Sequence, residues 1–297
     1  MRRDIEFNAD GVTLRGWFYL PEGKRGPFPT VILAHGFTGT KEMTLDLYAE
    51  AFAKGGLAAL VYDNRCLGDS DGEPRHDIDP VAQRRDYRYA ITYAQSLPEV
   101  DPNRIGIWGT SYTGGTVLAV AAIDRRVKAV VSQVPFINGH KNILEFLRLA
   151  ELPAFIKMLD EDRARRMKGE PSQYIPVTSG DPDQPAAFPG LRTHNFFHKF
   201  ATQVKGIKWE NKVTLRSIEY LLEYDVTCYL DRITPTPMMM IVSNDDTSTP
   251  TDIAMEAYHL AREPKELVIL KADHYSSYLE EFDLASSSAR DFYLKHL

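Results

Sequence analysis

A layered α/β fold with a largely parallel sheet, broken once by a helical insertion, is what this 297-residue sequence predicts. Three observations carry the prediction. Between residues 30 and 134, short apolar runs that read as buried strands alternate with helix-length segments, and helices between strands make the strands parallel. The alternation stops at Phe136 and resumes near Thr236, which sets an inserted helical lid at 136–234 apart from a core made of 1–135 and 235–297. Residues 104–124, RIGIWGTSYTGGTVLAVAAID, read as a buried strand, an abrupt glycine-flanked turn carrying Ser111, and a helix that begins at once.

Length and composition bound the rest. A chain of this size buries roughly 75% of its unfolded surface, so a core needs neither disulfide nor metal. Apolar residues at 43% and charged ones at 26% are ordinary for a soluble globular protein. A net charge of −6 without a dense basic run argues against nucleic-acid and anionic-membrane partners. Cys66 and Cys228 have no metal-ligand spacing and form no disulfide framework, which suits a reducing compartment, and neither reads as catalytic. The N-terminus lacks the apolar core of a signal peptide and no apolar run reaches spanning length, so a cytoplasmic protein is expected. Nothing in the composition speaks to oligomeric state.

Taken in order, Asp4 to Phe7 and Thr13 to Leu20 flank Ala9-Asp10-Gly11, and Asp-Gly between alternating segments predicts a hairpin. Residues 30–35, TVILAH, form a continuous apolar strand that ends in His35-Gly36-Phe37-Thr38-Gly39. This is a candidate oxyanion loop, with the backbone N–H groups of Phe37 and Tyr112 as donors for charge developing on a carbonyl oxygen. Standing alone, it is equally a turn with a structural histidine. Leu45 to Lys54 is a helix closed by Gly55-Gly56, and Leu57 to Asp63 the next strand. The charged side chains of loop 64–72 read as a structural network. Pro80 to Leu97 is a helix with Arg84, Arg85, Asp86 and Arg88 outward and Val81, Tyr89 and Ile91 among the inward positions.

Gly109, Ser111, Gly114 and Gly115 have the makings of a nucleophile elbow, although Thr113 stands where Gly-x-Ser-x-Gly places its last glycine. A plain strand-to-helix turn with Ser111 or Thr110 as N-cap is the alternative. Order favours the elbow, because a strand-end acid and then a histidine follow. Val127 to Val134 is a further strand. The insertion holds helix-like pieces at Lys141 to Leu149, Ala154 to Met167 and Leu215 to Tyr224, with Pro171, Pro176, Pro182, Pro185 and Pro189 between. Its Phe188, Phe196, Phe197, Phe200, Trp209, Tyr220 and Tyr224 are candidates for an apolar pocket, Phe197 and Trp209 foremost. The strand within 236–250 ends at Asp245 and Asp246, and the strand from Glu266 delivers His274. Open parallel sheets bind ligands at such carboxyl ends.

The hairpin start, AHGFTG, YDNRCLGDSDG, GTSYTGG, the Asp246 loop with Pro250 four residues on, and ADHYSSY together resemble the α/β-hydrolase superfamily over nearly the whole chain apart from the insertion. GTSYTGG and the run YDNR, GDSDG, IDP, DYR are similar to its dienelactone-hydrolase and Xaa-Pro-dipeptidyl-peptidase-like branch, near the polyketide-transferase-type hydrolases. The resemblance implies an eight-stranded, mostly parallel sheet flanked by helices, Ser111 as nucleophile, His274 as base, a strand-end acid, and backbone donors near Phe37 and Tyr112. Asp245 and Asp246 compete as the acid; Asp246 is preferred because family loops often place it four residues before a proline. The implied activity is cleavage of a small hydrophobic acyl substrate, an ester, thioester or lactone with a hydrophobic acyl group, through an acyl-enzyme, without a cofactor. An acyltransferase using the same triad is the alternative, ahead of a peptidase, for which the chain is too short to hold the related enzymes' extra domains, and of a non-catalytic binding scaffold.

Overall fold

A computed structural model describes residues 1–147, 149–181 and 184–297 of the chain. It opens with β1 (Arg2–Ala9) and β2 (Val12–Tyr19), an antiparallel hairpin turning through Asp10 and Gly11 at φ 54° and 86°, as a two-residue turn matched to strand twist requires. β3 (Phe28–Ala34), α1 (Leu45–Gly55), β4 (Ala58–Tyr62), α2 (Pro80–Ser96), β5 (Val100–Thr110), α3 (Tyr112–Ile123) and β6 (Val127–Gln133) follow. Then come α4 (Gly139–Phe146), α5 (Leu152–Met167), β7 (Tyr174–Ile175), α6 (Leu191–Gln203), β8 (Val213–Thr214) and α7 (Leu215–Leu222). The alternation resumes with β9 (Met238–Ser243), α8 (Thr251–Leu260), β10 (Lys265–Leu270) and α9 (Phe282–His296).

Eight strands form one sheet in the order β1-β2-β4-β3-β5-β6-β9-β10. β1, β2 and β4 pair antiparallel, and every pair from β4 to β10 is parallel. β4 and β9 are buried along their whole length, the continuous apolar pattern of strands covered on both faces. α3 is buried at every position from Tyr112 to Ala122, the all-round apolar character that fits a helix inside a core. The central strand β5 therefore feeds the most enclosed helix, and Ser111 lies between them. Among the described residues no helix is long and apolar enough to cross a membrane.

Expectations at three positions of α2 are corrected. Its buried face is Gln83, Asp86, Tyr87, Ala90, Ile91 and Ala94, while Val81 and Tyr89 are exposed. A step of 100° per residue sets the stripe through Gln83, Tyr87, Ala90, Ile91 and Ala94, and Val81 and Tyr89 fall outside it. Asp86 turns inward at the edge of the stripe because Arg65 Nε reaches its Oδ2 at 2.6 Å. The loop after β4 is a charged network: buried Lys41 Nζ lies 2.8 Å from Asp63, 2.6 Å from Asp69 and 2.8 Å from Glu42.

Between β6 and β9, helices appear close to the three expected places as α4, α5 and α7. Arg148, inside the first expected helix, and Pro182 lie outside the described residues. α6 and the two-stranded antiparallel ribbon β7-β8 were not expected. The ribbon strands are two residues each, too short to show a period in sequence.

Candidate active site

β5 delivers Ser111 at φ 54° and ψ −123°. Such a conformation costs a non-glycine residue about 1–3 kcal/mol and persists only where its surroundings over-determine it. Here the Ser111 N–H donates to the Gln133 carbonyl at 2.9 Å, and the Phe136 N–H donates to the Ser111 carbonyl at 2.9 Å. A Cβ at Gly109 would stand 2.3 Å from the Thr113 carbonyl oxygen, so α3 starts against the strand only because residue 109 has none. Tyr112 is the first residue of α3, and its N–H has no partner inside the helix.

The loop after β3 passes directly over the serine. A Cβ at Gly36 would meet Ser111 Cβ at 2.9 Å. Phe37 follows and, like Tyr112, is buried. His35 is a buried structural residue: its Nε2 donates to the Met43 carbonyl at 2.9 Å, and burial pushes its imidazole pKa down to about 4.

Asp246 and His274 are joined. Asp246 Oδ2 accepts from His274 Nδ1 at 2.7 Å and from Thr249 Oγ1 at 2.9 Å, while Oδ1 accepts from the Ser248 and Thr249 N–H groups at 2.9 and 2.7 Å. Asp245 is exposed, with its neighbour turned inward. His274 opens a 3₁₀ turn, His274–Tyr278, whose N-cap Asp273 accepts from Ser276 N–H at 2.9 Å. The Ser277 hydroxyl donates to the His274 carbonyl at 3.0 Å, and the Tyr48 hydroxyl donates to the Ser277 carbonyl at 2.6 Å.

Ser111 and His274 line one cavity with Gly36, Phe37, Ser248, Tyr275 and Tyr278 below and Phe188, Phe196 and Phe197 above. No hydrogen bond joins Ser111 Oγ to His274 among the described residues; such contacts are often loose before substrate binds. The free volume is about 30 Å³, room for one or two waters. Phe197 is on the wall, whereas Trp209 stands behind it, stacked at 5.1 Å and 13° between planes. Tyr220 and Tyr224 line a separate cleft beside α2.

Cys66 is buried, which pushes its thiol up to about 11, and Cys228 is exposed on that second cleft. The carboxylates of Glu42, Asp63 and Asp69 are the one group among the described residues with metal-ligand proximity, and the Lys41 ammonium already sits among them. Sequence reasoning did not find the part played by Thr113, whose hydroxyl donates to the His35 carbonyl across the elbow. The signal was its departure from glycine.

Residues 10–276 match the X-Pro dipeptidyl-peptidase (S15) family. The chain is 33% identical over 298 residues to the polyketide transferase grgF of a Penicillium species, covering 100% of this chain and 97% of that one. It is 32% identical over 286 residues to a thiohydrolase of Eupenicillium brefeldianum, covering 95% and 90%. The crystal structure of the α/β hydrolase GrgF from Penicillium sp. sh18 superposes with a TM-score of 0.84 at 32% identity over 100% of this chain and 99% of the other. The chain is thus an α/β-hydrolase enzyme, of hydrolase or acyltransferase activity, and belongs to the X-Pro dipeptidyl-peptidase (S15) family in the branch near the polyketide transferases.

Proposed function

We propose that this protein is a serine hydrolase that cleaves an ester, thioester or lactone with a hydrophobic acyl group through Ser111, His274 and Asp246. The observation that carries the reading is that a strained serine and a carboxylate-bound histidine line one aromatic-walled cavity. His274 Nδ1–H bound to Asp246 leaves Nε2 as the acceptor, so Nε2 takes the Ser111 proton as Oγ bonds to the carbonyl carbon. The oxyanion is met by the N–H groups of Phe37 and Tyr112. Collapse breaks the bond to the alcohol or thiol, which leaves with the proton from His274. Water, deprotonated by the same nitrogen, then releases the acid and restores Ser111.

The span 136–234 serves as a cap. With about 30 Å³ free beside Ser111, α6, which carries Phe196 and Phe197, is the wall whose displacement would widen the cavity for an acyl group. The aromatic walls of the cavity also favour a second reading, transfer to an alcohol, amine or thiol once a bound acyl group keeps water away. The grgF and thiohydrolase names point the same two ways, and thioesters join esters as substrates to try.

The test is labelling by a fluorophosphonate, with Ser111→Ala as control and a panel of esters and thioesters of graded acyl size. Labelling and turnover should both vanish in the folded variant, with kcat down on the order of 10⁶. Turnover near the parent rate in Ser111→Ala would remove the serine from the mechanism, and transfer to added alcohol outrunning hydrolysis would put the acyltransferase reading first.

A further inference from the structure

The segments that follow three neighbouring strands, two loops and the first turn of α3, meet at one backbone oxygen. The His35 carbonyl, after β3, accepts from the Thr113 hydroxyl, after β5, and from Asn64 Nδ2, after β4, at 3.2 Å. His35, Asn64 and Thr113 are all buried. One residue on, the Gly36 carbonyl accepts from Gly39 N–H at 3.3 Å, closing a turn in which Thr38 is held at φ 56°. A β-branched residue at positive φ is an outlier that needs support from outside.

These ties fix two consecutive peptide planes. A peptide is planar and trans, so its N–H points opposite to its C=O. With the His35 carbonyl drawn to Thr113 and Asn64, and the Gly36 carbonyl drawn to Gly39, the direction of the Phe37 N–H is set before any substrate arrives. Donors that need no reorientation as charge develops are worth most in a water-poor site.

We propose that Thr113 is a positioning residue for acyl transfer: its hydroxyl, helped by Asn64, locks the His35–Gly36 peptide so that the Phe37 N–H stays aimed at the oxygen that becomes the oxyanion. This rests on the reading of Ser111, His274 and Phe37 given above. It gives a reason for threonine in the place of the elbow's last glycine, since a glycine would leave the His35 carbonyl with the longer hydrogen bond alone.

Thr113→Val keeps the side-chain volume and removes the donor; Thr113→Ser restores the donor. With an activated ester, Thr113→Val lowers kcat per fluorophosphonate-titrated site by roughly 10- to 100-fold, short of the ~10²–10³ for losing an oxyanion donor outright. KM stays within about threefold, and Thr113→Ser returns to within about fivefold of the parent, as for a contact made in the transition state. Affinity for a trifluoromethyl ketone, which bonds to Ser111 and carries the oxyanion, falls with kcat/KM, while affinity for the product acid does not. Asn64→Ala shows a smaller loss of the same kind. If valine at this buried turn prevents folding, Thr113→Ala is read in the same way. A variant with a lowered melting temperature but parental kcat per titrated site overturns the proposal. Ser111→Ala run alongside separates the two claims: activity there sinks the serine mechanism, whereas an inactive Ser111→Ala beside an unimpaired Thr113→Val sinks the positioning role alone.

Discussion

Asp246→Asn should cost about four orders of magnitude in kcat while leaving the fold in place, and the hydrogen bonds around the carboxylate show why. Oδ1 accepts two backbone N–H groups, from Ser248 and Thr249, and those donors cannot turn round. An asparagine must therefore put its oxygen at the Oδ1 position, because the reverse orientation sets NH₂ against two donors at under about 3 Å. Its Nδ2 then faces His274 Nδ1 and Thr249 Oγ1. The threonine adapts, since its hydroxyl has the Val134 carbonyl to donate to at 3.0 Å and can accept from the amide. The histidine adapts by carrying its hydrogen on Nε2, the nitrogen that must receive the serine proton. Wrong-tautomer losses of this kind run near 10⁴ in kcat, or about 5 kcal/mol. Exposed Asp245 is the internal control, and Asp245→Asn should change activity less than about twofold. Initial rates on an activated ester, normalised to titrated sites and paired with thermal melts, measure both. More than a tenth of parental kcat in folded Asp246→Asn, or a larger loss from Asp245→Asn, would refute this assignment of the acid.

Three further outcomes are expected. Burial works against the charge of Lys41, but Asp63, Asp69 and Glu42 outweigh it and hold its pKa up, so Lys41→Met should destabilise by about 3–5 kcal/mol in urea unfolding through stranded carboxylates. A loss under about 1 kcal/mol would show that Asp63 is relieved in some other way. His35 titrates at about 4 in the fold against 6.5 when unfolded, so the unfolded chain binds more protons in that window. Its stabilisation is fully present above pH 6.5 and drains away, by roughly 3 kcal/mol, as pH falls to 4; His35→Gln should flatten that part of the stability curve, and an unchanged slope would assign it to other groups. Arg192→Ala removes exposed ion pairs to Asp273 and Glu280 at 2.9 and 2.8 Å, worth at most about 1 kcal/mol, and should raise kcat/KM for bulky esters severalfold at low salt, a gain that 1 M salt gives the parent too. Equal selectivity and no salt response would mean that α6 is not the moving part.

The core was legible because its signals are local. β4 is an unbroken apolar run and β3 and β9 hold four or more consecutive apolar residues, while Ser111, Asp246 and His274 each stand just past a strand, in the order that a parallel sheet brings to one edge. What escaped depended on partners far along the chain. Asp86 reads as surface until Arg65, 21 residues earlier, is seen beside it, and Thr113 reads as an imperfect elbow until the His35 carbonyl, 78 residues away, is found against its hydroxyl. Trp209 and Phe197 are indistinguishable as aromatics, and only packing shows which is wall and which is backing. α6 was recoverable: Thr193, Phe196, Phe197 and Phe200 are spaced i, i+3, i+4 and i+7, a helical face that flanking proline and glycine obscured.

The fastening of the chain between β6 and β9 is lopsided, and that bears on where specificity resides. On the side of the loop before α2 the ties are buried and directional: Asp77 accepts both Arg216 Nε and Nη2 at 2.7 Å and the Thr214 hydroxyl at 2.6 Å, while the Ile78 N–H donates to Ser217 Oγ at 2.7 Å. On the side of α6, exposed ion pairs from Arg192 accompany ring contacts of Phe196 with Tyr275 and Tyr278 at 4.8 and 5.3 Å. Moving α6 breaks ring contacts, which slide and re-form, and a bond between the neutral Thr193 and Tyr275 hydroxyls, whereas parting Asp77 from Arg216 would leave a buried carboxylate uncompensated, at a cost of several kcal/mol. If the span opens as the proposed function requires, opening should cost least beside α6, with Phe196 and Phe197 at the entrance as well as on the wall. Under the proposed function, changes of side-chain size at that edge should shift the preferred acyl group while leaving the ties at the His35 carbonyl and the Asp246 hydrogen bonds in place.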